Sequence, residues 1–256
     1  MILRLLYFFI KTIGASGITK KKEIKFVIFD ANWFSNLETS LTNDVFVGNR
    51  VFRKRPCSTH LDLAKLRPLR NLSTFELREF TYLALNRSWH ALELATLAHE
   101  EATIRAKKGG NLETLRHIKA LFYKTNSLPI PWLQDARKAL KEKLNRTRRT
   151  GGNASVYFVL VSGFTETNQY YGCYVGQTMT TQLDIFSDNQ SARIAKHYKG
   201  IRAATSVKTR GIEPLWSLNH FTLNIADTRK EIEDLETSFH RSLESVLPRV
   251  LGDTND

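Results

Sequence analysis

Through residues 73–149 the apolar positions recur at three- and four-residue spacing, whereas after residue 152 they bunch into short runs and return to helical spacing only near the end. Phe75, Leu77, Phe80, Leu83 and Ala84 fit one helix face, and Ser73 with Glu76 forms a capping box, each side chain satisfying an orphan amide. The spacing predicts a helix from Ser73. A second is expected from about Ser88 to Lys108 on Leu92, Ala95, Leu97, Ala98, Ala102 and Ile104, stopped by Gly109-Gly110. Asn111 caps a third, carrying Leu112, Leu115, Ile118, Leu121 and Phe122. Pro131 opens a fourth that runs through Arg149, with Leu133, Ala136, Leu140 and Leu144 as a narrow apolar line. Upstream, Ile24–Phe29 and Val45–Phe52 are β-like runs with Gly48 and Asn49 as turn signals, and they are expected to pair as a hairpin.

Beyond Gly152 the pattern predicts a strand over Val156–Val161, a polar loop over Gly163–Gln169 and a second strand over Tyr170–Gly176. A helix over Ser191–Lys199, a strand over Trp216–Ile225 and a long amphipathic helix over Thr228–Leu247 follow. The order is β-β-α-β-α. The expected fold class is α+β: a mainly helical module over 1–150, then a small domain over 151–256 with a three-stranded sheet that must pack on its helices to be stable. Arg146–Asn153 is the expected joint.

Charge sharpens this division. The 256 residues hold 38 Lys plus Arg and 25 Asp plus Glu, for a formal +13. Residues 1–150 carry 28 basic and 13 acidic side chains, net +15, and residues 151–256 carry 10 and 12, net −2. So uneven a distribution points to a polyanionic partner, because each cation placed on a phosphate releases a counterion. The candidate DNA contacts are Arg137, Lys138, Lys141, Lys143, Arg146, Arg148 and Arg149 on the fourth helix, with Lys196 in the second half. A solvated basic surface is the bland alternative.

Composition, 42% hydrophobic and 25% charged, excludes a solvated tail or fibre. Cys57 and Cys173 are too few for a disulfide scaffold and read as free thiols in a reducing, cytoplasmic setting. The apolar run Leu5–Ile10 is short for a signal peptide and far below the ~20 residues of a membrane span. His60, His90, His99 and His117 show no metal-ligand pattern with cysteine.

Ser155-Val156-Tyr157, Tyr174-Val175-Gly176, Arg193 and the late Leu235-Glu236 pair form an ordered set over roughly residues 153–250. It resembles the GIY-YIG endonuclease domain, with Ser in place of the first glycine and Val at two isoleucine positions. The resemblance implies metal-dependent cleavage of DNA, with Tyr157, Tyr174, Arg193, His197 and Glu236 as site residues and Glu236 as the ligand of one Mg²⁺, or Mn²⁺ in its stead. Two departures stand out. The stretch between Tyr174 and Arg193, with Asp184 and Asp188, is long, and after Pro248 the sequence Arg249-Val250-Leu251-Gly252 lacks the asparagine similar domains place there, Asn255 lying a little later.

The residue chemistry agrees with that expectation. Phosphodiester hydrolysis needs an oriented water, positive charge on the developing phosphorane-like oxygens and help for the leaving alkoxide. Arg193 offers a permanently charged fork suited to phosphate. His197, four residues on, shares its helical face and can relay a proton. Glu236 is chemically sufficient for magnesium, which keeps waters and takes substrate oxygen, with Glu233 as the alternative ligand. Tyr157, whose ordinary pKa is near 10, reads as a water-orienting group, and Tyr174 as a hydrogen-bond donor to nucleophile or phosphate. Gly176 is expected to leave room for the substrate backbone. The rival readings are a nucleic-acid-binding protein that lost efficient cleavage and, more remotely, a helical adaptor.

Overall fold

A computed structural model describes backbone at 44–47 and 50–53, and residues 63, 65–85, 92–147, 152–162, 170–179, 193 and 204–252. The architecture is α+β. A hairpin of β1 (Asp44–Val47) and β2 (Arg50–Arg53) precedes four helices, α1 (Thr74–Leu85), α2 (Leu92–Lys107), α3 (Leu112–Lys124) and α4 (Leu133–Thr147). Then come β3 (Ser155–Ser162), β4 (Tyr171–Thr178), α5 (Thr205–Arg210), β5 (Gly211–Pro214), α6 (Trp216–Thr222), α7 (Arg229–Glu244) and β6 (Val250–Leu251).

The helix signals act as their chemistry requires. Ser73 Oγ accepts from Glu76 N at 3.2 Å while the Glu76 carboxylate accepts from Ser73 N, so the box starts α1. Asn111 Oδ1 accepts from Glu113 N and Thr114 N at 2.9 and 3.3 Å and starts α3. Gly109, at φ +78°, takes the left-handed turn that ends α2, with Gly110 N donating to Arg105 O at 2.8 Å. Thr228 and Glu231 form a second capping box at the start of α7. On α4, Leu133, Ala136 and Leu140 are buried and Leu144 packs against them, as the narrow apolar line requires.

The sheet runs β5-β3-β4-β6. β3 is antiparallel to both β4 and β5, and β4 is parallel to β6. Four strands therefore replace the expected three. Val45–Phe52 is not one strand but two, β1 and β2, paired antiparallel, and Ile24–Phe29 lies outside the described residues. Trp216–Ile225, expected as a strand, is the helix α6, and the third and fourth strands are the short segments β5 and β6. Of the expected helix Ser191–Lys199, only Arg193 is described, in helical conformation.

Helix α6 lies along the edge of β3 and supplies side chains where β5 stops. Asn219 Oδ1 accepts from Phe158 N at 2.6 Å and its Nδ2 donates to Phe158 O at 3.3 Å. Thr222 Oγ1 donates to Val156 O at 2.7 Å. These groups pair strand atoms that burial would otherwise leave unsatisfied.

One core joins side chains from both sides of the Gly151-Gly152 pair, from Leu63 to Leu247, including Phe80, Ile118, Leu140, Phe158, Val175 and Phe239. A buried side chain of this size contributes about 1.5–3 kcal/mol over its exposed state. Two carboxylates cross-link the halves. The Glu213 carboxylate at β5 accepts from Leu92 N and Glu93 N, at 3.2 and 2.7 Å, at the start of α2. The Glu93 carboxylate in turn accepts from Trp216 N, Ser217 N and Ser217 Oγ, at 2.7, 2.9 and 2.6 Å, at the start of α6. Each acid thus serves a helix N-terminus distant in sequence, where orphan amides and the helix dipole favour an anion. Trp132 Nε1 adds a bond to Tyr171 O at 3.1 Å. Among the described residues no helix is long and apolar enough to cross a membrane.

Candidate functional site

Strand alternation divides β3 between two faces. Val156, Phe158 and Leu160 point into the main core, where the Phe158 and Phe239 rings meet at 6.4 Å. Tyr157, Val159 and Val161 point to the other face and cluster with Tyr174 of β4 and Val207 of α5. The register sets Tyr157 opposite Gly176, and the rings of Tyr157 and Tyr174 lie 6.2 Å apart, tilted by 41°. Arg193, half-buried, lies near enough to the Tyr157 hydroxyl to act on its ionisation. Three of the expected site residues, Tyr157, Tyr174 and Arg193, are therefore gathered on one face of the β3-β4 pair.

The electrostatics fix the state of the phenol. Burial foremost, and then Tyr174, push the Tyr157 hydroxyl well above the ordinary tyrosine range, against the opposing effect of Arg193. Tyr157 is a neutral phenol at physiological pH, a donor and acceptor rather than a proton-abstracting phenolate. It is also fully buried, and Tyr174 is 4% exposed.

Gly176 has a different role from the one expected. A Cβ there would lie 2.6 Å from the Tyr157 hydroxyl oxygen and 2.8 Å from Tyr174 Cε1. The absent side chain makes room for the tyrosine pair, so the space assigned to an approaching substrate backbone is occupied by the two rings.

Glu236 is buried on α7 beside Phe239 and His240. That helix packs on the sheet face carrying Phe158, the layer opposite the tyrosine pair. As a single carboxylate it suits a magnesium ion that draws its other ligands from water and phosphate. Among the described residues no group of three or more His, Cys, Asp and Glu side chains is arranged to hold a metal. The alternative ligand Glu233 is ion-paired with Arg229 at 2.8 Å. His197 and Lys196 lie outside the described residues.

The basic helix α4 requires a correction. Arg137 is fully buried, and its guanidinium donates to the carbonyls of Leu66 at 3.1 Å, Leu63 at 3.2 Å and Lys65. It cannot be a DNA contact: its fork is spent on those three carbonyls, close to Glu93 and Glu100. Lys138 is exposed and 3.4 Å from Asp135 of the same helix, while Lys141 and Lys143 are half-buried. The side chains of Arg146, Arg148 and Arg149 lie outside the described residues.

Sequence reasoning missed two features. His240, one turn after Glu236, is buried on the same face of α7 with Nδ1 3.4 Å from Glu244, and only the i,i+4 spacing signals it. The Glu93–Glu213 exchange has no local signal, since each acid acts more than a hundred residues away. Cys173, expected as a free thiol, is free and buried. No family model, no curated protein and no solved structure matches the chain.

Proposed function

We propose that the chain is a GIY-YIG-like DNA endonuclease that hydrolyses a phosphodiester with one Mg²⁺ ion, gripping DNA through its basic first half. The observation that carries this reading is the convergence of Tyr157, Tyr174 and Arg193 on one face of an antiparallel pair. In this reading Arg193 neutralises charge on the attacked phosphate. The Tyr157 and Tyr174 hydroxyls orient a water or a phosphate oxygen by hydrogen bonding, and neither removes a proton. Glu236 is the carboxylate that would hold the metal, which supplies Lewis-acid polarisation of a phosphate; because α7 packs across the sheet from the tyrosine pair, the two could serve one phosphate only around an edge or end of the sheet. His197, one helical turn from Arg193 by spacing, would carry the proton.

A second reading is a nucleic-acid-binding protein that keeps this arrangement without efficient cleavage. The burial of Tyr157 and Tyr174 favours it, because a catalytic hydroxyl has to meet substrate.

Nicking of supercoiled plasmid in Mg²⁺ by the full chain, by Glu236→Ala and by Arg193→Ala decides between them. The endonuclease reading expects cutting by the wild type and at least a hundredfold loss in both variants, the scale of removing one charge-stabilising donor. A wild type that binds DNA and never cuts, or variants that cut as fast as it does, rejects the enzyme.

A further inference from the structure

Helix α3 packs on α1 and α2 through Thr114, Leu115, Ile118, Leu121 and Phe122, which are all buried. Its other side carries Leu112, Arg116, Lys119 and Tyr123, spaced i, i+4, i+7 and i+11 and therefore aligned in one stripe, with Lys124 beside the last. All five are exposed, and Tyr123, at 87%, is the most open large hydrophobic residue among the described residues. The stripe is about 16 Å long at 1.5 Å per residue.

The local charge is cationic. The acid of α3, Glu113, is engaged by Arg78 of α1 at 3.3 Å, leaving Arg116, Lys119 and Lys124 as the charges of the open side. Exposed Lys107 and Lys108 extend it at the α2-α3 turn. His117, on the same helix, is held below its ordinary pKa first by burial and then by the nearby charges of Arg78 and Lys124. So exposed a tyrosine ring buries little apolar surface in the folded chain. Stacking on an unpaired base would use it, since every base offers a π-face while the flanking cations take successive phosphates.

We propose that α3 grips nucleic acid, with Arg116, Lys119 and Lys124 on phosphates and Tyr123 stacked on an unpaired base. The proposal rests on the nucleic-acid partner of the endonuclease reading, and it names the strand feature recognised: single-stranded or locally unpaired DNA.

The test measures fluorescence anisotropy of the full chain with a labelled 20-nucleotide single strand and with the duplex of the same sequence, across a salt series. The Arg116→Ala/Lys119→Ala/Lys124→Ala variant is expected to bind at least tenfold more weakly, with a salt slope on the single strand shallower by about 2, at roughly 0.7 for each phosphate no longer neutralised. Tyr123→Ala is expected to lose roughly 5- to 150-fold on the single strand and little on the duplex, with Tyr123→Phe restoring it. Circular dichroism and melting of these exposed-residue variants should match wild type.

Unchanged affinity and slope in the triple variant, or equal single-strand binding by Tyr123→Ala and wild type, overturns the proposal, as does a wild type that binds neither DNA. Plasmid nicking separates the two readings. A chain that cuts while its α3 variants bind normally loses only the α3 proposal, and one that binds through α3 but never cuts loses only the endonuclease.

Discussion

The Tyr157 hydroxyl fills the space that a side chain at Gly176 would take, with its oxygen 2.6 Å from where a Cβ would stand. The two residues face each other across β3 and β4, so their volumes are coupled.

Replacing Gly176 with Ala should therefore cost stability, although removing a glycine from a strand is ordinarily favourable. The expected loss is about 1–3 kcal/mol, the usual range for overpacking, read as a lower midpoint in urea unfolding. Pairing it with Tyr157→Phe, which removes the crowded oxygen, should recover part of the loss. Additive losses in the double variant would show that the two positions are independent.

Tyr157 predicts a pH profile. Burial keeps its phenol protonated well above neutrality, so its titration should not shape any cleavage rate between pH 6 and 9. Tyr157→Phe should lower the rate by a similar factor at every pH in that range. A variant effect that vanishes at low pH and grows steeply with pH would instead identify the phenolate as base.

Arg137 should behave as a structural group. Arg137→Ala leaves the carbonyls of Leu63, Lys65 and Leu66 without their donor and removes the positive charge near Glu93 and Glu100. A loss of about 3–5 kcal/mol is expected, the scale for breaking a buried charged network, while exposed Lys138→Ala should stay within about 0.5 kcal/mol. Denaturant titration of both variants checks this, and the folded fraction of Arg137→Ala should bind DNA as the wild type does.

Stability should fall as pH rises through the neutral region. Burial pushes the carboxyls of both Glu93 and Glu100 up to about 7. An unfolded glutamate titrates near 4.3, so between about pH 4.5 and 7 these two carboxyls bind more protons in the folded chain than in the unfolded one, and their combined negative slope outweighs the opposite one-proton contribution of His99, whose imidazole burial pushes down to about 4. Urea midpoints at pH 5, 6 and 7.5 should decline in that order, and Glu93→Gln should flatten the decline. A midpoint that rises over the same range would mean that the donors from Trp216 and Ser217 keep Glu93 ionised.

The helical half was legible because its signals are local. Ser73, Glu76, Gly109 and Asn111 act on atoms within five residues of themselves, and the apolar line of α4 shows directly in the sequence. Trp216–Ile225 misled because its alternation imitates a strand, while the N-terminus of α6 is held by Glu93 from far upstream, which no window around Trp216 contains. β5 and β6 are four and two residues long, β5 with Gly211 and Pro214 at its ends, too short for a period to register. Within the site, Tyr157, Tyr174 and Arg193 were legible from motif order. The burial of Arg137 was not, since an arginine on an amphipathic helix reads as solvent-facing until the carbonyls of Leu63, Lys65 and Leu66 are seen to take its donors.

The exchange between Glu93 and Glu213 also bears on how the chain reaches this structure. A helix N-terminus closed by a side chain from its own first turn can form early and alone, but α2 and α6 each wait for an acid about 120 residues away. The two N-termini thus share contacts that span about 120 residues, the long-range kind that is slow to close. A ribosome that has released only the first 150 residues has made Glu93 without the amides it serves, and the amides of Leu92 and Glu93 do not meet the Glu213 carboxylate until it emerges.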